Sequence, residues 1–272
     1  ECGAVVVRDP AAVEAMPDVT LEGVRASKIV VVADYHPEGG LRYCPDAVSE
    51  RLQRILGGSV RWVPATSEIG IALRESIGEA TVSSPCLIGA FEGVGAPMPW
   101  HEKPRIGVVL GSVQRMGGRS RNRAFQDSLP AVHGQTILTW GPTRALPRAV
   151  AKGVVHANSN IVSASEFVRS VDVVIVPRAP GRGAHLDRTA VAAMASGRIV
   201  MLDRSYQAHF GDAALYLGEV SVDAHIDRLV CDPDCRMRLQ ERALEFVRTE
   251  LSGRTYVESL SSVLEERFGE SR

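Results

Sequence analysis

The stretch VDVVIVPRAPGRGAHLDRTAVAAMASGRIVMLDRSYQAHFGDAALYLG, Val171 to Gly218, decides the fold. Its apolar, β-branched opening over 171–177 reads as a buried strand that ends in a Pro/Gly/Arg loop. A helix of small residues follows over 187–196 and closes at Ser196-Gly197. A second apolar strand spans 198–203, and a loop carrying Phe210-Gly211-Asp212 leads to a third at 214–218. Strand, helix, strand in that rhythm predicts parallel βαβ units. It also sets the start of a helix, with its unpaired backbone N–H groups, at the carboxyl end of a parallel strand. That position suits an anionic ligand.

The same alternation extends both ways from this stretch. Upstream, strands are predicted near 3–7, 28–34, 60–65 and 86–91, with helices near 10–16, 45–57 and 67–77. Pro45 starts the second of these helices, and Asp46 is placed near its cap. Gly93 to Pro104 (GVGAPMPWHEKP) is rich in Gly and Pro and reads as a linker. Beyond it a fresh series predicts strands at 105–111, 135–140 and 154–157 and helices near 122–131, 143–151, 163–169 and 222–229. A helical tail runs from Pro233 to Phe268, broken at Ser252-Gly253. The reading is α/β in two domains, 1–102 and 103–272. The chain opens at Glu1, almost directly on a strand, and its first series is about half of a doubly wound sheet. The first domain is therefore expected to be incomplete at its amino end.

Bulk properties exclude several classes. In 272 residues, 45% apolar and 23% charged predicts a sizeable core and argues against disorder. A net charge of −1 leaves no electrostatic footprint for nucleic acid or an anionic membrane. Apart from Lys28, Lys103 and Lys152 the cations are all Arg, which reads either as coding bias or, locally, as bidentate phosphate contact. The five cysteines, Cys2, Cys44, Cys86, Cys231 and Cys235, are odd in number and form no CxxC pair. They predict neither a disulfide framework nor a zinc site, and they fit a reducing cytoplasm. No run reaches the length of a membrane span. HExxH, an acidic pair that suggests a divalent metal site, and the Gly-x-Ser-x-Gly elbow are all missing, so no metal or serine-hydrolase site is expected.

Two loops carry the charge and the glycines that a phosphate needs. Gly111-Ser112-Val-Gln-Arg115-Met-Gly-Gly-Arg119 follows a predicted strand and enters a predicted helix. Glycines let backbone approach a phosphate, helix N–H groups donate, and Arg supplies charge. The same residues also fit a solvated Arg-rich loop, and the spacing does not separate the two. Pro180-Gly-Arg182-Gly183-Ala-His185 precedes the helix from Asp187, which reads as its N-cap. Ser163 and Glu166 read as a capping pair, and Asn158-Ser-Asn160 ends a strand. Asp34-Tyr-His36 ends another, ahead of Pro37. Leu239, Ala243, Phe246, Val247 and Leu251 form a helical stripe expected to pack on the domain, as are Tyr206 and Phe210.

In this order of elements the chain resembles bacterial glycosyltransferases of the GT-B fold, in the retaining, glycogen-synthase-like superfamily. The resemblance rests on residues 28–73, Pro104-Arg-Ile-Gly107, Ser165–Asp172, Ala193-Met-Ala-Ser-Gly197 and Phe210-Gly-Asp-Ala-Ala-Leu-Tyr216. It implies two Rossmann-like parallel-sheet domains and transfer of a sugar from a nucleotide-diphosphate sugar to a glycan or lipid-linked acceptor, with no metal. Donor contacts then fall on Gly111, Ser112, Arg115, Arg119, Arg182, Gly183 and Asn158, and acceptor-side contacts on Asp34 and His36. His185 and Asp187 become the candidate catalytic groups. Where the family carries two glutamates spaced by seven residues, this chain has Ala184 and Ala192. That departure implies the alternative of a module that keeps the fold, lacks catalysis and binds a glycan or a protein.

Overall fold

The computed structural model describes residues 2–15, 17, 24–33, 41, 43–65, 67–83, 95–110, 136–141, 154–177, 188–218 and 220–265. They fall into two compact units. The predicted strand at 86–91 and the helices near 122–131 and 143–151 lie outside these residues.

The first unit is a parallel sheet in the order β1 (Cys2–Val7), β2 (Ala26–Ala33), β3 (Ser59–Pro64). Between the strands run α1 (Pro10–Ala15) and α2 (Pro45–Leu56), and α3 (Ser67–Ile77) follows β3. Val48, Leu52, Ile55 and Leu56 give α2 one apolar face, which packs with Ile29, Val31, Trp62 and Ile69. Each such fully buried aliphatic side chain stabilises by about 1.5–3 kcal/mol. Pro45 stands in the first turn as expected, and the cap is Cys44, whose side chain makes no capping bond. Asp46 is already inside the helix, where its charge faces the positive end of the helix dipole.

The run Ile29–Ala33 is apolar throughout because both faces of β2 are covered. The second face belongs to a helix from the end of the chain, α9 (Gly253–Glu265). Its Tyr256, Leu260, Val263 and Leu264 pack with Val30 and Val63, and Lys28 Nζ donates to the Leu264 carbonyl. Gly253–Glu265 therefore groups with the first unit, whereas the sequence reading places the whole tail in 103–272. The apolar second face of the sheet, which Val30 and Val63 present and α9 covers, accounts for the difference.

The second unit is a six-stranded parallel sheet. Its strands are β4 (Arg105–Val109), β5 (Thr136–Gly141), β6 (Val154–Asn158), β7 (Val173–Val176), β8 (Ile199–Asp203) and β9 (Leu215–Leu217). They lie in the order β6-β5-β4-β7-β8-β9. α4 (Ala164–Arg169) leads into β7, α5 (Arg188–Ala195) links β7 to β8, and the short α6 (Gln207–Phe210) precedes β9. α7 (Val222–Cys231) and α8 (Pro233–Glu250) complete the unit. α4 opens on the capping box read from the sequence. Glu166 N–H donates to Ser163 Oγ at 3.2 Å, and Ser163 N–H donates to the Glu166 carboxylate at 2.9 Å. Such a cap contributes about 1 kcal/mol. Phe167 stacks on Trp140 and lies so close to β4 that a Cβ on Gly107 would sit 2.6 Å from the ring. Only glycine admits that approach. The α8 stripe packs as expected, with Ala243, Leu244, Val247 and Leu251 buried and Phe246 against Phe210.

Candidate functional site

The second sheet changes direction at one place. The chain adds β5 and then β6 on one side of β4, and returns to lay β7 along the other side. Ile106 pairs with Val173, Gly107 with Val174 and Val108 with Ile175. The carboxyl ends of β4 and β7 are therefore neighbours, and the chain leaves them at Leu110 and at Pro177. In an open parallel sheet the crevice at such a switch point is where a ligand is held. The two glycine- and arginine-bearing loops singled out above, 111–119 and 180–187, begin from these two neighbouring strands. This adjacency is not visible in the sequence, where the two strands lie more than sixty residues apart.

Most of the candidate residues lie outside the described residues: Gly111, Ser112, Arg115, Arg119, Arg182, Gly183, Ala184, His185, Asp187, Asp34 and His36. Asn158 is placed, at the carboxyl end of β6 beside Gly141 of β5. Its side-chain oxygen accepts from Asn160 N–H at 3.0 Å, and its carbonyl accepts from Ile161 and Val162 N–H at 2.9 Å each. Asn158 thus shapes the turn that leaves β6. Ala192 is half-buried on α5 and offers no polar atom beyond its backbone.

His156 escaped the sequence reading. It projects from the same face of β6 as Asn158, two residues away. Its Nδ1 lies 3.0 Å from Thr139 Oγ1, and its Nε2 is buried with no partner among the described residues. Burial holds this imidazole below the usual histidine range, so it is neutral at pH 7. A histidine alternating with asparagine at the end of a β-branched strand was the available signal. Asp172 and Arg198, the buried charges among the described residues, lie at the opposite, amino-terminal edge of the sheet. Asp172 precedes β7 and takes the Arg105 N–H at the start of β4. No three His, Cys, Asp or Glu side chains among the described residues are arranged to hold a metal ion. No helix among them is long and apolar enough to cross a membrane.

No family model and no curated protein matches the sequence. Solved structures do match. Sucrose-phosphate synthase from Thermosynechococcus elongatus superimposes with a TM-score of 0.63 at 11% identity, over 96% of this chain and 72% of that one. TarM superimposes with a TM-score of 0.64 at 12% identity, over 97% of this chain and 55% of that one. The fold is of the GT-B type. HepE from Anabaena, solved with UDP, shares this GT-B fold at a TM-score of 0.59 and 12% identity, over 95% of this chain and 78% of that one. At these identities the likeness is one of backbone architecture, and the present chain spans part of each GT-B neighbour. The first sheet has three strands among the described residues against six in the second.

Proposed function

We propose that this chain is a glycosyltransferase-like protein that takes its donor, a nucleotide-diphosphate sugar, at the carboxyl edge of the second sheet. The observation that carries the reading is the switch point, where the chain leaves β4 toward Gly111-Ser112 and leaves β7 toward Arg182-Gly183. Backbone N–H groups and the guanidinium groups of Arg115, Arg119 and Arg182 then neutralise the diphosphate as it departs. In that step the bond between the sugar C1 and the diphosphate oxygen breaks and a bond from the acceptor oxygen to C1 forms. The acceptor proton passes to a nearby base, for which His185 and Asp187 are the candidates. Asp34 and His36 belong to the acceptor side, and the acceptor class is a glycan or a lipid-linked precursor of the cell envelope. The chemistry needs no metal, and the compartment that fits an odd, irregularly spaced set of five cysteines is the reducing cytoplasm.

A second reading rests on Ala192. Without carboxylates at Ala184 and Ala192 the protein is a GT-B module that binds a glycan or a protein and transfers nothing. Calorimetric and thermal-shift titration with UDP, GDP and ADP separates the two. Saturable binding of one nucleotide, lost in Arg119→Ala, is expected for the transferase. A ligand at a hundred times its Kd stabilises the fold by about 2.7 kcal/mol. No shift with any nucleotide at millimolar concentration moves the assignment to the binding module.

A further inference from the structure

Residues 95–104 carry no helix or strand and run along the amino-terminal edge of the second sheet. Gly95 N–H donates to the Ala195 carbonyl at 2.9 Å, Gln240 Nε2 donates to the Met98 carbonyl, and Arg198 Nη1 donates to the Pro99 carbonyl at 3.1 Å. Trp100 packs on the core of the unit, with the Arg236 guanidinium 4.9 Å from its ring centre. The next residue sets an imidazole on a buried carboxylate. His101 N–H donates to Asp172 Oδ1 at 3.1 Å, and His101 Nδ1 lies 2.9 and 3.0 Å from the two Asp172 oxygens.

Asp172 is held without this imidazole. The fully buried carboxylate already accepts from Arg105 N–H at 2.8 Å and from His101 N–H, and the Arg198 guanidinium lies 3.4 Å from it. A carboxylate only accepts, so the ring nitrogen facing it carries the hydrogen and the lone pair falls on Nε2. The His101 side chain is 34% exposed, and its Nε2 is neither buried nor bonded to any described residue. The other described histidines lack this arrangement. His156 and His209 bury Nε2, and His225 Nε2 lies 3.2 Å from the Tyr216 carbonyl.

We propose that His101 is a phosphoryl-acceptor site, modified at Nε2 by donors of the phosphoramidate class. A nucleophilic imidazole needs one nitrogen held and the other open, and among the described histidines His101 alone has both. Its surroundings suit an anionic donor, since Lys103 and Arg105 are exposed within four residues of it against the single acid Glu102. In the step, the Nε2 lone pair attacks phosphorus, the P–N bond of the donor breaks, and its electron pair leaves on ammonia. The Nδ1 hydrogen stays on the ring, which becomes cationic as the new P–Nε2 bond forms. Asp172 faces that developing charge and stabilises it. The product adds about two negative charges to the amino-terminal edge. None of this depends on a nucleotide at the carboxyl edge.

Reaction of the full chain with potassium phosphoramidate tests the site. Peptide mass spectrometry follows the occupancy of each histidine, and phosphorus NMR assigns the modified nitrogen. N-Acetylhistidine in the same tube is the reference. His101 should react about tenfold faster than the reference, at Nε2, while His156 and His225 react more slowly than it. In Asp172→Asn the advantage should vanish. That variant also leaves Arg198 without its anion, so the wild-type chain unfolded in urea serves as a second comparison. There His101 should fall to the reference rate, because the carboxylate no longer meets the ring. A folded-state rate at or below the reference overturns the proposal, and so does a phosphate on Nδ1. An advantage that survives either Asp172→Asn or urea also overturns it, because the pairing with Asp172 would then not be its cause.

Discussion

The two sheets use the same strand chemistry and differ in what lies between and beneath the strands. Among the described residues of the first unit the strands stand in chain order, β1-β2-β3, with no change of direction, and the interior is almost wholly apolar around Trp62. In the second the order doubles back at β4 and β7, and the buried set includes Thr139, Asp172, Thr189, Arg198 and Gln240. A sheet built in one direction creates no crevice at its centre, whereas one that doubles back creates one. Three of these, Asp172, Arg198 and Gln240, lie away from that crevice. All three bind loop backbone at the amino-terminal edge. One end of the second sheet is thus closed by fixed hydrogen bonds, and the other is left to the loops that carry the candidate chemistry.

The contrast can be broken by removing the central group of each unit. Asp172→Ala leaves Arg198 buried without its anion and should cost about 3–5 kcal/mol, all of it in the second unit. Trp62→Ala should cost the first unit about as much, by loss of packing and of the Nε1 bond to Ser49 Oγ. Urea unfolding followed by amide exchange in β2 and β8 reads the two separately. If Asp172→Ala weakens both sheets equally, the units are not independent in stability.

A smaller effect sharpens the description of the second sheet. In Gly107→Ala the new Cβ meets Phe167, whose ring is held by Trp140, and Val171 Cγ1 at 3.1 Å. A stability loss of about 1–3 kcal/mol, read as a lowered denaturation midpoint, is expected, with nucleotide titration unchanged if a ligand contacts only the loops. A neutral result would mean that α4 can move off β4.

The smallest effect is one of pH. The imidazole of His156 is held below its ordinary value of 6.5 by burial, and so is that of His225, whose Nε2 donates to the Tyr216 carbonyl. The unfolded chain therefore binds protons that the folded chain refuses. Stability is full above about pH 6.5 and falls as the pH drops toward the lowered folded values. Tm measured between pH 7.5 and 5 should show this decline, and it should be shallower in His156→Gln. An identical slope in both proteins would remove His156 from the account.

Much of the fold was legible because it is local. The β-branched runs at 28–34 and 171–177, the Pro at the start of α2 and the Ser163–Glu166 pair each act within a few residues. They read correctly for that reason. Asp172 passed unnoticed as one polar residue in an apolar run, since its partners His101 and Arg198 are 71 and 26 residues away. His156 was passed over for the same reason, its neighbour Thr139 being on another strand.

The class of this protein can be read one segment at a time: parallel βαβ units, two of them, with glycine and arginine gathered after particular strands. Periodicity and turn chemistry are short-range, so one segment suffices to read them. Which strands are neighbours is set by the folded arrangement. It put β4 beside β7 and so gave two distant loops a common origin. It laid α9 on the second face of the first sheet, and it fastened residues 95–104 beneath the second. These are choices among long-range pairings of similar apolar surfaces, and they are settled by burial and by the few buried charges that must find a partner.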